Sequence, residues 1–380
     1  FTPAANANGT TSVDIYLVDS GLGTPAPNDD TSPTQSFNIT IDPINDEPSF
    51  TKGADQTVDE DAGAQTVVGW ATAISEGPAD ESTQTLTFTV TAADSSLFAV
   101  QPAVSDTGTL SFTPAANANG TTSVDIFLVD SGLGALAPND NTSPTQSFNI
   151  TIDPINDEPS VTQGADQTVD EDAGAQTVAG WATAISEGPA DESSQTLAFT
   201  VTAADSSLFA VQPAVSDTGT LTFTPAANAN GTTSVDIYLV DSGLGAPAPN
   251  DNTSPTQSFN ITIDPINDEP SFSLPALPDR SVNEDSGAFT EAAYATSISA
   301  GPADESSQTR ALPVTAADSS LFAVQPAVSD TGPLTFTPAA NANGTTSVDI
   351  YPVDSGLGAP APNNNTAPPQ SFDITIDPIN

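Results

Sequence analysis

Forty-nine Asp and Glu residues stand against three basic ones, Lys52, Arg280 and Arg310, in a chain with no His and no Cys. Oxygen is therefore the donor atom on offer. Ser-His-Asp and Cys-His catalysis are excluded, as are the usual zinc sites built on thiolate and imidazole. No Gly-rich loop carries a Lys, and the Asn-Gly pairs at 8–9, 119–120, 230–231 and 343–344 read as turn chemistry rather than phosphate cradles. A glycosidase-type carboxylate pair is compatible with the composition, but two catalytic acids copied into every near-identical unit would be a strange economy. The chain is read as non-enzymatic. A net charge of −46 excludes nucleic acid, whose phosphates require Lys and Arg, and argues against anionic membrane surfaces. No stretch approaches the roughly 18 apolar residues of a membrane span. Without Cys there are no disulfides, and with Lys nearly absent no general Lys–Asn cross-link. Metal ions are the staple that remains. The plainest alternative is a solvated acidic surface suited to salty water.

The order of the residues adds a fixed period. Phe-Thr-Pro-Ala-Ala-Asn-Ala-Asn-Gly begins at Phe1, Phe112, Phe223 and, after a two-residue insertion, Phe336. The unit 47–157 differs from the unit 158–268 at 8 of 111 positions. Solenoid repeats run about 20–50 residues and cannot fold singly, whereas this period suits an independent domain with its own core. The expected organisation is a partial repeat at 1–46, complete repeats at 47–157 and 158–268, and a divergent repeat at 269–380, taken from a longer array. Near-copies in series suit a stalk, spacer or polyvalent adhesin better than an enzyme.

Within 47–157, Leu86, Phe88 and Val90 alternate with Thr, as do Val124, Ile126 and Leu128, and Phe148, Ile150 and Ile152, with polar residues between them. This is the period of a half-buried strand. Further strands are predicted over 49–58, 65–73, 97–104 and 109–113. Turn signals separate them: Glu-Gly-Pro at 76–78, Asp-Thr-Gly at 106–108 and Asp-Ser-Gly at 130–132. Seven short strands with little helix predict an all-β, Greek-key β-sandwich. Trp70 and Trp181 are expected in the core, and 132–144 as a long hairpin loop. In the last unit, Pro313 and Pro352 stand where a strand is expected, at places read as those of Phe199 and Leu239. Tyr294 replaces Trp181.

The end of each unit carries the most specific pattern. Thr-Thr-Ser-Val-Asp-Ile-Phe-Leu-Val-Asp-Ser-Gly (121–132) leads into Gln-Ser-Phe-Asn-Ile-Thr-Ile-Asp-Pro-Ile-Asn-Asp-Glu-Pro-Ser (146–160). This resembles the end of a cadherin domain, where a strand closing on Asp-x-Gly precedes a final strand and an Asp-x-x-Asn-Asp-x-Pro linker. With Val-Asp-Glu-Asp-Ala-Gly (58–63) included, the whole chain is similar to the cadherin-like and Ig-like repeats of large bacterial surface proteins. The resemblance implies tandem sandwiches arranged as a rod, extracellular, with Ca2+ bound at the joints by six to eight oxygens. It implies one ligand set of Asp19, Asp42, Asn45, Asp46, Glu60 and Asp61. A second comprises Asp130, Asp153, Asn156, Asp157, Glu171 and Asp172, and a third Asp241, Asp264, Asn267, Asp268, Glu284 and Asp285. The cadherin Leu-Asp-Arg-Glu motif is absent, Pro-Ala-Ala-Asn-Ala-Asn-Gly standing in its place, and Leu128 precedes Val129 and Asp130 where an Asp-x-Asp pair would have its first acid. Fewer ligands imply fewer ions or weaker binding. The other reading of these motifs is that Asp-Pro and Asn-Asp-Glu-Pro only shape a turn. Glu187, Asp191 and Glu192 in Ser-Glu-Gly-Pro-Ala-Asp-Glu-Ser offer another acidic site, but the segment reads first as a solvated loop.

The implied function is that of a calcium-stiffened extender in a cell-surface adhesin, with adjacent repeats as its partners and any cell-surface or glycan ligand outside this segment. Two other readings are a filament whose chains exchange strands, since 1–46 holds too few strands for a core, and an array of carbohydrate-binding modules. Aromatics at 6 % of residues, mostly on inward positions, rank the last reading lowest.

Overall fold

In the computed structural model, residues 1–23, 25–134 and 138–380 are described. They fall into two compact units. The first comprises Phe1–Asp157 with Gly188–Ser194 and Leu244–Asp251, and the second Glu158–Glu187, Gln195–Gly243 and Asn252–Asn380.

The first unit opens with a two-stranded ribbon, β1 (Gly9–Ile15) against β2 (Gln35–Ile41), antiparallel from Gly9 opposite Ile41 to Ile15 opposite Gln35. A sandwich follows, of β3 (Ser49–Thr51), β4 (Gln56–Asp59), β5 (Gln65–Val67), β6 (Thr72–Ser75), β7 (Leu86–Ala92), β8 (Phe98–Val104), β9 (Leu110–Pro114), β10 (Gly120–Asp130) and β11 (Gln146–Asp153). One sheet has the order β4-β11-β10-β7 and another β5-β9-β8, while β3 and β6 pair as a separate two-stranded sheet. The first predicted strand is broken in two. Its first half pairs with β6, while its second half runs parallel to β11, Asp59 opposite Asp153. The chain thus changes sheets between Thr51 and Gln56. The predicted strand 65–73 is also split, over 68–71, where Gly69 takes a positive φ.

The alternation decides what is inside. Val124, Ile126 and Leu128 are fully buried while Ser123 and Asp125 face out. Trp70 is a core residue, 4.4 Å from the Phe148 ring centroid, with its indole N–H donating to Ala54 O at 2.9 Å. The β1–β2 ribbon has the same inward sequence without the opposing layer. Ile15 is 57 % exposed where Ile126 is 0 %, and Phe37 50 % where Phe148 is 2 %. Of the expected loop 132–144, Ala135–Ala137 lie outside the described residues.

The second unit repeats the four-strand sheet twice. Gln167–Asp170, Gln257–Asp264, Gly231–Asp241 and Leu197–Ala203 follow one another in the first copy, and Arg280–Asn283, Gln370–Asp377, Gly344–Ile350 and Val314–Ala316 in the second. Each copy closes its own core, one around Trp181 and one around Tyr294.

The prolines of the last copy have a physical explanation. Leu128 and Leu239 donate their backbone N–H to Ser143 Oγ and Ser254 Oγ, each at 2.9 Å. Pro352 has no N–H to give, and the serine's place is taken by Ala367. Donor and acceptor are lost together, so no buried hydroxyl is stranded. The strand is interrupted there, ending at Ile350 and resuming at Val353–Asp354. Pro313 does not occupy the position of Phe199, as the sequence reading had it. Counting back from Val314, which faces Ile350 as Val201 faces Ile237, puts Leu312 at the place of Phe199 and Pro313 at that of Thr200. Leu312 is buried in the core.

A second group of exchanges surrounds Tyr294. Its hydroxyl donates to Pro278 O at 2.7 Å, as the Trp181 indole donates to Ala165 O at 2.8 Å. Arg280, at the place of Gln167, lies 4.8 Å from the Tyr294 ring centroid and forms an ion pair with Glu291, at the place of Val178. Burial pushes the Tyr294 hydroxyl far up, so it remains a neutral donor.

Candidate functional site

Three linkers, at 42–46, 153–157 and 264–268, gather most of the buried Asn, Asp and Glu side chains. A carboxylate at the end of β4 explains the arrangement. Asp61 takes a left-handed φ of 57°, which Asp tolerates better than most residues. Glu60, just before it, turns inward and is fully buried. Its Oε1 accepts the N–H of Ile155 at 2.7 Å and its Oε2 the Asn119 amide at 3.3 Å. Glu171 repeats this with Ile266 at 2.8 Å and Asn230 at 3.1 Å, and Glu284 with Ile379 at 3.0 Å and Asn343 at 3.4 Å.

A second carboxylate reaches each linker from a one-turn helix. Asp46 N–H donates to Glu81 Oε1, Asp157 N–H to Glu192 Oε1 and Asp268 N–H to Glu305 Oε1, at 2.7, 2.7 and 2.8 Å. These glutamates are buried. The solvated-loop reading of the segment holding Glu192 is thereby corrected, and Glu81 and Glu305 join the site. The signal was available in sequence: Gly-Pro-Ala-Asp-Glu recurs unchanged at 77–81, 188–192 and 301–305, including in the divergent copy.

The linker asparagine is the third component. Asn45 donates to Asp130 Oδ1 at 3.1 Å and Asp140 O at 2.7 Å, and accepts from Gln84 at 2.6 Å. Asn267 does the same with Asp354 at 3.2 Å, Asn364 O at 2.8 Å and Gln308 at 2.6 Å. A Cβ at Gly132 would lie 1.7 Å from Asn45 Oδ1, and one at Gly356 1.6 Å from Asn267 Oδ1. The Gly of Asp-Ser-Gly is thus required by the linker packed on it.

The predicted ligand sets are redistributed. Because β4 is parallel to β11, Glu60 and Asp61 sit at the exit of their own repeat and meet linker 153–157, rather than linker 42–46. Glu171 and Asp172 likewise meet 264–268, and Glu284 and Asp285 lie by 377–379. Because β10 runs antiparallel to β11, Asp130 ends at the repeat's entrance, with Asn45. Asp241 occupies the equivalent place in its own copy and accepts from Gly243 N–H at 2.7 Å. Asn156, Asp157, Asn267 and Asp268 stay in their linkers. Asp153 and Asp264 contribute their carbonyls to Glu60 and Glu171 N–H, both at 2.9 Å. Asp19 accepts from Gly21 N–H at 2.7 Å within its own turn, and Asp42 borders a small cavity with Asn8 and Asp80.

Like charge accumulates at these places. Burial raises the Glu60 carboxyl, with Asp191 and Asp61 adding to it, and raises Asp157, again with Asp61 and Asp191. Asp268 is raised by burial and by Asp172 and Asp304. Glu81 and Glu305 are raised by burial first and then by neighbouring aspartates. Glu81 Oε2, Glu305 Oε2 and Asp354 Oδ2 are buried without a hydrogen-bond partner. The donor chemistry, all oxygen and partly unsatisfied, suits a hard cation. Among the described residues, however, no group of three or more acidic side chains stands in a geometry that could hold a metal ion.

The sequence matches no protein-family model, and a search of curated proteins likewise finds no match. Among solved structures, the chain is similar to protocadherin gamma B2 extracellular cadherin domains 1-5, with 14 % identity, TM-score 0.47, and coverage of 98 % of this chain and 66 % of that one. It is similar to the human desmocollin-1 ectodomain at 15 % identity and TM-score 0.33, covering 94 % and 66 %. With mouse cadherin-23 EC22-24 the figures are 13 %, 0.41, 88 % and 99 %. The chain thus spans just under two thirds of the first two. The tandem β-sandwich fold stands on the strand order and register described above. Among the described residues, no helix is long and apolar enough to cross a membrane.

Proposed function

We propose that this chain is the extender region of an extracellular adhesin of bacterial type, a non-enzymatic series of cadherin-like repeats whose joints are stiffened by calcium. The observation that carries this reading is the recurrence, at each of the three linkers, of a buried glutamate bonded to a linker aspartate N–H with further acids beside it. Glu60, Asp61, Asp157 and Asp191 would hold the ion at the second linker, and Glu171, Asp172, Asp268 and Asp304 at the third. Asp46, Asp80 and Glu81 would do so at the first. Calcium would supply the positive charge that three basic residues cannot. The chain's own residues orient the linker: Glu60 and Glu171 fix it from the preceding repeat through a backbone N–H, and Glu81 and Glu305 from the following one. Closing on an ion requires the carboxylates to draw together from their present spacing, which their mutual repulsion opposes until it is neutralised.

The test is a thermal melt of the 380-residue chain in chelator, in millimolar magnesium and in millimolar calcium. Extracellular modules bind calcium with Kd of about 10⁻⁴–10⁻³ M. At about ten times Kd, each site adds roughly 1.4 kcal/mol. A calcium-specific rise in melting temperature is expected. Identical melts in all three buffers would remove calcium and leave the acidic linkers as hydrogen-bonded turns.

A further inference from the structure

We propose that Asn119 and Asn230 are spontaneous modification sites, at which loss of the side-chain amide converts a linker latched by hydrogen bonds into one that depends on a divalent cation. Each asparagine holds two carboxylates. Asn119 Nδ2 donates to Glu60 Oε2 at 3.3 Å and Asp191 Oδ2 at 2.9 Å; Asn230 Nδ2 donates to Glu171 Oε2 at 3.1 Å and Asp304 Oδ2 at 3.2 Å. An amide has two N–H donors and spends one on each acid. It is a neutral clamp between like charges.

Both asparagines precede glycine. Gly120 and Gly231 take φ of 139° and 140°, a region that L side chains rarely adopt. The backbone therefore requires glycine there, and a glycine leaves its own amide nitrogen unhindered by a side chain. That nitrogen attacks Cγ of the preceding asparagine, the new N–Cγ bond replaces Cγ–Nδ2, and ammonia leaves. Water then opens the five-membered imide at either carbonyl, giving aspartate or its β-linked isomer. The net change is hydrolysis of one amide, with no oxidant or reductant. Asn119 and Asn230 are half-buried, so water reaches them. The product has lost both donors and adds a carboxylate between two others.

Asn343-Gly344 provides an internal comparison, because its amide has one carboxylate contact, to Glu284 at 3.4 Å. The cation step rests on the calcium reading above; the modification does not.

The full chain is incubated at mildly alkaline pH and mapped by mass after cleavage at aspartate. Ser111, Thr222 and Pro333 give the three otherwise similar peptides distinct masses. The expected result is the amide-to-acid mass gain at Asn119 and Asn230, with a parallel fall in the melting midpoint in chelator that calcium restores. The double variant Asn119→Asp, Asn230→Asp should show that fall at once, and Asn343→Asp should leave the calcium response unchanged. Asn119→Gln with Asn230→Gln keeps the amides while disfavouring ring closure, and should show neither mass gain nor drift. Unmodified Asn119 and Asn230 peptides, or a double aspartate variant that melts like the parent in chelator, would overturn the proposal. A fall in chelator that calcium fails to reverse would overturn the calcium reading and leave the modification site standing.

Discussion

Glu60 Oε1 accepts the N–H of Ile155 at 2.7 Å across 95 positions of sequence. The contact exists because β4 lies parallel to β11 and the two strands end together, Asp59 beside Asp153. A buried carboxylate is thereby attached to the segment that leaves the repeat, and the same bond recurs from Glu171 to Ile266 and from Glu284 to Ile379.

Truncating Glu60 should therefore cost more than losing an ordinary surface acid. Glu60→Ala leaves the Ile155 N–H without its acceptor, a penalty of about 1–3 kcal/mol. Glu60→Gln keeps a carbonyl oxygen for that N–H and removes a charge repelled by Asp61 and Asp191, so its loss in chelator should be smaller. Urea denaturation of the two variants in chelator checks the order. An alanine variant as stable as the parent would show that the bond contributes nothing.

The raised carboxyls fix a direction for pH dependence. Glu60, Glu81, Asp157, Asp268 and Glu305 hold protons in the folded chain at pH values where the unfolded chain has released them. Their contribution is most favourable below the ordinary carboxylate range and is lost as pH rises through their folded values. Asp94, Asp205 and Asp318 act oppositely. Each is lowered by the Ser side chain and backbone N–H two residues on, and contributes stability above its ordinary value of 3.8 that disappears at lower pH. In chelator, melting temperature should thus peak on the acidic side and decline toward neutrality. Millimolar calcium should flatten or reverse that decline. A chelated melting temperature that climbs steadily to pH 7 would contradict the assignment.

Pro352 and Ala367 should behave as a coupled pair. Pro352→Leu alone creates a backbone N–H with no hydroxyl to receive it, and Ala367→Ser alone creates a hydroxyl with no donor. Together they restore the bond that Leu128 and Ser143 make. The double variant should exceed the sum of the singles by about 0.5–1.5 kcal/mol. Simple additivity in urea melts would mean that the paired exchange has no energetic logic.

Much of this fold was legible because a strand with one wet face writes its burial into every second residue. Val124, Ile126 and Leu128 could hardly be read otherwise, and the indole of Trp70 is where an apolar ring with one donor is expected. The ends of the sandwich were not legible. Nothing local in Val-Asp-Glu-Asp says that its strand will pair in parallel with one 94 positions later, and on that pairing depends which linker receives Glu60. Glu192 was misread for the converse reason: Asp and Glu in a Gly-Pro turn look solvated until a linker N–H folds over them. Pro352 was puzzling because its compensation, Ala367, lies on another segment.

Glu81 and Glu305 offer a separation of stability from ion binding. Each uses Oε1 to hold a linker N–H, and each keeps a buried Oε2 without a partner. In chelator that second oxygen carries charge beside Asp46 or Asp268, which burial and repulsion both penalise. Glu81→Gln with Glu305→Gln preserves the linker bond and replaces the unpartnered oxygen by a donor facing acids. The double variant should melt higher than the parent in chelator at neutral pH, and its decline between acidic and neutral pH should be shallower. It should also gain less from calcium, since the first linker has lost a proposed ligand and the third a negative charge beside Asp268 and Asp304. Melts at two pH values, each with and without calcium, read all three effects. If the variant is destabilised in chelator, the unpartnered oxygen is a settled part of the fold rather than a group held ready for a cation.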